Sequence, residues 1–254
     1  MSLAVFEETK KDIETAYKEK SKSKIEKETS YILSQLIMIM MGTFKDRVKS
    51  VSMDARTMDY NEEYIYSEDN YGALLEWLKQ LMIMESPISN EEFGKLKVDF
   101  EDWYYRIGGQ NIAFDYHDDY LLTTSEAAKK LNVSTVTINK YLNSGLEKMV
   151  TTSHRKIPKH AVQLWRNPEY CLKMQMNFQE NKLRNQSAEE RLKEVVEEIL
   201  EFQLKYKVDK VEEAFPMINE DMMGQLQDYY EWDSLEEEYR ELKQKVSEER
   251  LNAK

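Results

Sequence analysis

The chain has 254 residues, a formal charge of −12, 41% hydrophobic and 33% charged residues, and only 7 glycines and 4 prolines. That length and apolar share support more than one small packing unit; the scarcity of glycine and proline leaves little material for a barrel, a sandwich or a phosphate-cradling loop and favours helices. A single cysteine, Cys171, excludes an internal disulfide framework and any Cys/His zinc set, and fits a reducing cytoplasm.

The opening MSLAVFEETKKDIE becomes charged after six residues and lacks the apolar core of a secretory signal. A charged stretch over residues 10–27 predicts an exposed helix, leading into a buried one that carries Ile32, Leu33 and the apolar run 36–41 before Gly42. That run is far short of the roughly 18 residues that span a bilayer, so no membrane partner is expected. Leu74, Leu75, Trp77, Leu78, Leu81 and Met82 predict a second apolar helix over residues 71–84, ended by Pro87. Ser89 and Glu92 have capping-box spacing and open a helix that docks Phe93, Leu96, Phe100 and Trp103 and stops at Gly108 and Gly109. Asp115, His117, Asp118 and Asp119 read as a short acidic linker rather than a metal site. The methionine groups Met38, Met40 and Met41, Met82 and Met84, and Met222 and Met223 read as core filling.

The segment 123-TTSEAAKKLNVSTVTINKYLNSG-145 predicts two short helices and a turn. Thr123 and Glu126 make a capping box, Ala127, Ala128 and Leu131 face inward, and Lys129 and Lys130 face outward. Asn132 tolerates a left-handed turn, and Ser134 is a preferred N-cap for the second helix. That helix buries Ile138, Tyr141 and Leu142 and presents Thr135, Thr137, Asn139, Lys140 and Asn143 before Gly145 ends it. Further on, Ser187 with Glu190 and Ser234 with Glu237 predict two more helix starts. Behind them, Leu192, Val195, Ile199, Phe202 and Tyr206, then Leu235, Tyr239, Leu242 and Val246, keep near-heptad spacing. Such seams either close on their own chain or join two chains. Tyr229, Tyr230 and Trp232 between them mark a core corner or an interface anchor.

With these residues placed, the stretch 121–145 followed by 154-HRKIPKHAVQLW-165 resembles the excisionase-like branch of the MerR-type winged helix-turn-helix family. The resemblance rests on Leu121 and Leu122, Thr124, Glu126 to Ala128, Val133 and Ser134, Thr137 and Ile138, Lys156 to Pro158, and Trp165. It covers fewer than fifty residues. Asn132 stands where the family favours glycine, and Thr135 and Val136 stand where it often has arginine or another strong base reader. No cysteine cluster follows, so the likeness to metal-sensing members ends at the fold.

The resemblance implies that the second helix enters the major groove, with Asn139 reading adenine, Lys140 reaching guanine or phosphate, and Thr135 or Val136 meeting a thymine methyl. It gives the backbone contacts to the wing residues His154, Arg155 and Lys156, and to Thr124 and Lys129; Ser134 and Thr137 complete the expected DNA-binding set. Residues 121–167 hold eight basic residues (Lys129, Lys130, Lys140, Lys148, Arg155, Lys156, Lys159, Arg166) and two acids (Glu126, Glu147), a net of +6, so the remainder carries −18. A local basic patch supplies phosphate affinity even inside an acidic protein.

The expected architecture is mainly α: an N-terminal helical domain over residues 1–119, a central winged helix-turn-helix with a small β-wing over 120–167, and C-terminal amphipathic helices over 168–254. The expected function is sequence-specific binding of double-stranded DNA by a cytoplasmic transcription regulator or excisionase-like architectural factor. A homodimer joined through the tail is expected, with no catalysis, cofactor or metal, and no effector identified. The long flanks favour the regulator, since excisionase-like proteins are typically small. The rival is a non-catalytic scaffold whose winged helix contacts protein.

Overall fold

Side-chain caps set the helix starts. Ser2, Asn61, Ser67, Ser89, Thr123, Ser134 and Ser187 each accept a backbone N–H from the first turn of the helix they precede. The protein's structure, a computed structural model, describes residues 1–53, 58–84, 88–150, 155–215 and 223–252. It is mainly helical, with two small antiparallel sheets.

The described residues gather into two compact units, Met1–Asn181 and Lys182–Lys254. In the first, α1 (Leu3–Lys18) and α2 (Lys22–Gly42) are separated by a break at Lys20, whose φ is +50°. Then come β1 (Val48–Met53), α3 (Glu62–Ile65), α4 (Glu68–Ile83), α5 (Asn90–Arg106) and β2 (Ile112–Tyr116). Ile32, Leu36, Phe44, Leu74, Leu78, Phe93, Phe100 and Ile107 form their core. Within it Asn70 is fully buried and satisfied: its Nδ2 donates to the Tyr17 hydroxyl and the Ile65 carbonyl, both at 3.0 Å, and its Oδ1 accepts from Trp103 Nε1 at 3.0 Å.

β1 and β2 pair antiparallel, with Val51 opposite Phe114 and Met53 opposite Ile112. The acidic linker expected at residues 115–119 is therefore the end of a strand and a 3-10 turn (Asp118–Tyr120). The alternation in IAFDY buries Phe114 and Tyr116 and turns Ala113 and Asp115 outward, so the acids are the solvent edge of a packed segment.

The chain continues through β3 (Leu121–Thr123), α6 (Thr124–Leu131), α7 (Thr135–Asn143), β4 (Met149–Val150), β5 (Arg155–Pro158), α8 (Lys159–Leu164) and α9 (Pro168–Asn185). α8 packs on α5, where a Cβ on Gly94 would stand 2.8 Å from Leu164 Cδ1. Tyr170 and Met174 of α9 share a core with Ile138 and Leu142. The segments expected at 1–119 and 120–167 thus lie together in one unit, and the start of the expected C-terminal region packs with them.

In the second unit α10 (Ala188–Tyr206) and α12 (Met223–Asn252), with α11 (Val211–Ala214) between them, form a hairpin. Arg191 forks onto Glu238 at 2.6 and 2.7 Å, Phe202 stacks on Trp232 at 5.6 Å, and Lys205 pairs with Asp228. These pairs run antiparallel, so the near-heptad seam closes on its own chain. Trp232 is fully buried while Tyr230 is exposed. Ser234 opens no helix: it lies inside α12, because Trp232 and Leu235 continue one buried face across it.

The methionine expectation holds only in part. Met40 is fully buried, whereas Met38 is 66% and Met41 39% exposed, since successive helical residues point about 100° apart. Pro87 and Met222 lie outside the described residues. Among the described residues no helix is long and apolar enough to cross a membrane.

Candidate nucleic-acid interface

The cap at α6 forms as its spacing requires. Thr123 Oγ1 accepts from the Glu126 N–H at 3.2 Å, and the Glu126 carboxylate accepts from the Thr123 N–H at 2.8 Å. These hydrogen bonds, backbone first, lower the Glu126 pKa and keep the carboxylate anionic. α6 ends at Asn132, with φ 57° and ψ 46° in the left-handed region, and the Val133 N–H returns to the Ala128 carbonyl at 3.0 Å. Two residues later Ser134 Oγ accepts from the Thr137 N–H at 3.0 Å and α7 begins.

Ala127, Ala128, Ile138 and Leu142 close the inner side of this helix pair, and Tyr141 meets the Trp165 ring at 5.3 Å. Gly145 ends the turn with φ +112°, its Cα side packed so closely on α9 that a Cβ would lie 3.0 Å from Gln175 Cα. β4, β5 and β3 then make a three-stranded antiparallel sheet in the order β3-β5-β4, with Leu122 opposite Ile157 and Lys156 opposite both Thr123 and Met149.

The outer side gathers part of the expected reading set. Thr135, Val136, Asn139 and Lys140 are exposed along α7, Val136 at 65%. Lys129 is exposed on α6, and neither it nor Lys140 makes an ion pair among the described residues. Thr124 is half-buried at the start of α6. Ser134 and Thr137 are committed to the cap, their hydroxyls 2.9 Å apart, which fixes the first turn of α7. Lys156 is paired with Asp118 at 2.7 Å, and that pairing lowers the Asp118 pKa. The backbone of Arg155 pairs with Val150 in the sheet, and His154 lies outside the described residues.

No protein-family model, curated protein or solved structure matches the chain.

Both acids of the basic segment are occupied locally, Glu126 in its cap and Glu147 in a buried cluster that the sequence reading did not foresee. Lys97 Nζ lies 2.8 Å from Glu101 Oε1 and 2.8 Å from Glu147 Oε2. The other oxygen of Glu147 accepts from the Tyr116 hydroxyl at 2.7 Å, and His160 Nε2 donates to Glu147 Oε2 at 3.0 Å. Burial works against the Lys97 ammonium, yet the two carboxylates hold it above the usual lysine range. Burial likewise opposes the charge of Glu147, but Lys97 and then His160 hold its carboxyl well below the usual range. For Glu101 burial wins over Lys97, and its carboxyl is pushed up to about 7. Burial lowers the His160 pKa and keeps the ring neutral, with Nδ1 a buried acceptor that has no partner. One signal was present in the sequence: Lys97 sits four residues after Phe93 and three before Phe100, on the apolar side of α5. Among the described residues no group of three or more His, Cys, Asp or Glu side chains is placed to hold a metal ion.

Proposed function

We propose that the protein binds double-stranded DNA sequence-specifically through residues 120–167 as a winged helix-turn-helix, acting as a transcription regulator or excisionase-like architectural factor without catalysis. The observation that carries this reading is the exposed face of α7, where Thr135, Val136, Asn139 and Lys140 stand free on a helix whose turn, cap and inner packing are fixed. A helix presented this way fits the major groove, where an asparagine pairs bidentately with adenine and a lysine reaches guanine or phosphate. The antiparallel hairpin of β4 and β5 is the element that reaches the flanking backbone in this reading. Of the two acids in this segment, Glu147 is paired with Lys97, which balances its charge.

One observation favours the rival protein-contact reading, the exposed isopropyl group of Val136. On DNA the same group meets a thymine methyl.

Selection from a randomised duplex library separates the two. Asn139→Ala is expected to lose about 1–3 kcal/mol at one base-pair position and relax the preference there. Lys129→Ala is expected to weaken all sequences alike. Equal behaviour of the two variants rejects the assignment of α7 as the reading helix; absence of any selected sequence in the wild type rejects the DNA reading.

A further inference from the structure

Lys156 stands opposite Thr123 in the pairing of β5 with β3, beside the residue that caps α6, and its ammonium is engaged by Asp118 at 2.7 Å. We propose that Asp118 is a built-in phosphate mimic. It occupies the wing lysine that the DNA backbone claims in the reading above, so duplex binding proceeds by exchange of a carboxylate for a phosphate and its affinity is held down.

Three observations support the exchange. First, the acid is presented by a fixed turn: Tyr120 is buried, its N–H donates to the His117 carbonyl at 2.9 Å, and the His117 N–H donates to the Arg47 carbonyl at 3.0 Å. Second, the pair is unevenly exposed, the Asp118 side chain at 87% and that of Lys156 at 29%. The carboxylate is the outer partner, so a phosphate that approaches Lys156 from solvent meets it first, and an ion pair this exposed opens at little cost. Third, the neighbouring acids do not share the role. Asp115 is taken by Lys49 at 3.2 Å, and Asp119, exposed, makes no ion pair among the described residues. The inference rests on the DNA-binding reading of residues 120–167 and adds to it the residue that opposes binding. A free lysine that neutralises a phosphate releases about 0.9 of a counterion. A lysine taken from a carboxylate leaves that carboxylate to gather a cation, and the release largely cancels.

Fluorescence anisotropy of the full chain with a labelled duplex of mixed sequence, over a range of salt, tests it. Asp118→Asn keeps the side-chain shape and is expected to bind about three- to fivefold more tightly at low salt. Its log–log salt slope is expected to steepen by about 0.9. Asp119→Asn removes the same charge one residue away and is expected to gain less than about twofold, with the slope unchanged. Placed on Lys156→Gln, Asp118→Asn is expected to gain no more than Asp119→Asn does, because no ammonium is there to free. Equal gains from the two acids in the wild-type background, a slope unmoved by Asp118→Asn, or a gain that survives Lys156→Gln overturns the inference and leaves the DNA reading standing. Binding by none of the proteins overturns both, and binding that emerges only with Asp118→Asn supports the inference.

Discussion

Glu101 and Glu147 share the ammonium of Lys97 at equal distance, yet their protons behave oppositely because His160 also supports the Glu147 anion, whereas Glu101 has no second cationic or donor partner of that kind among the described residues and lies beside that anion. The folded Glu101 carboxyl, raised to about 7, holds a proton that the unfolded chain has already released above the ordinary carboxylate range. Its contribution is therefore most favourable at low pH and is lost as pH rises through about 7. His160 acts with the opposite sign below its ordinary range, because folding depresses its pKa. The comparison of wild type with Glu101→Gln isolates the first effect. Chemical denaturation at pH 5, 6, 7 and 8 is expected to show the wild type losing on the order of 1–3 kcal/mol relative to the variant across that range. Parallel profiles would show that folding does not shift the Glu101 pKa. At this scale the turn was legible and the cluster was not. Asn132 and Ser134 declare their backbone roles locally, whereas of the two partners of Lys97 only Glu101, one helical turn on in α5, is local; Glu147, with His160 bonded to it, is brought in by tertiary packing.

Elements with a local cause were readable: the boxes at Ser89, Thr123 and Ser187 all form, because cap and first turn lie within four residues. Ser234 misled because the same spacing occurs inside a helix whose buried face runs on. β1 and β2 were missed because each is short and its partner is distant in sequence, so neither shows more than a brief alternation. The packing of α8 on α5 was equally hidden. Gly94 lets the two helices approach, with Leu164 Cγ 3.1 Å and His160 Cβ 3.0 Å from where a Cβ would stand. Gly94→Val is expected to cost about 1–3 kcal/mol by overpacking and to lower the urea midpoint. An unchanged midpoint would mean that the pair parts without cost.

For the whole molecule, the −12 charge and the local +6 of residues 121–167 make salt the natural probe of the proposed DNA binding. Contact with four to five phosphates is expected to give a log–log slope of about −4 in titrations of the full chain against duplex DNA. No binding at low salt would remove the proposal. One reading helix covers few base pairs, so discrimination among genomic sites calls for two copies. With the tail seam closed on itself, an exposed apolar stripe of Val196, Leu200 and Leu204 on α10 is a face open to a second chain. Light scattering is expected to give a dimer for the wild type and a monomer for the double variant Leu200→Glu, Leu204→Glu; a wild-type monomer refutes it. The pairing of β1 with β2 also bears on how the chain is made. Val48 to Met53 must wait for a partner that lies near residue 112, roughly sixty residues later, which at a synthesis rate of about 5–20 residues per second leaves the strand without its edge for roughly 3–12 s. An unpaired edge is an invitation to other nascent chains, and the lysine at position 49 guards it during that interval. When the partner emerges the same ammonium changes occupation, closing on Asp115 at 3.2 Å.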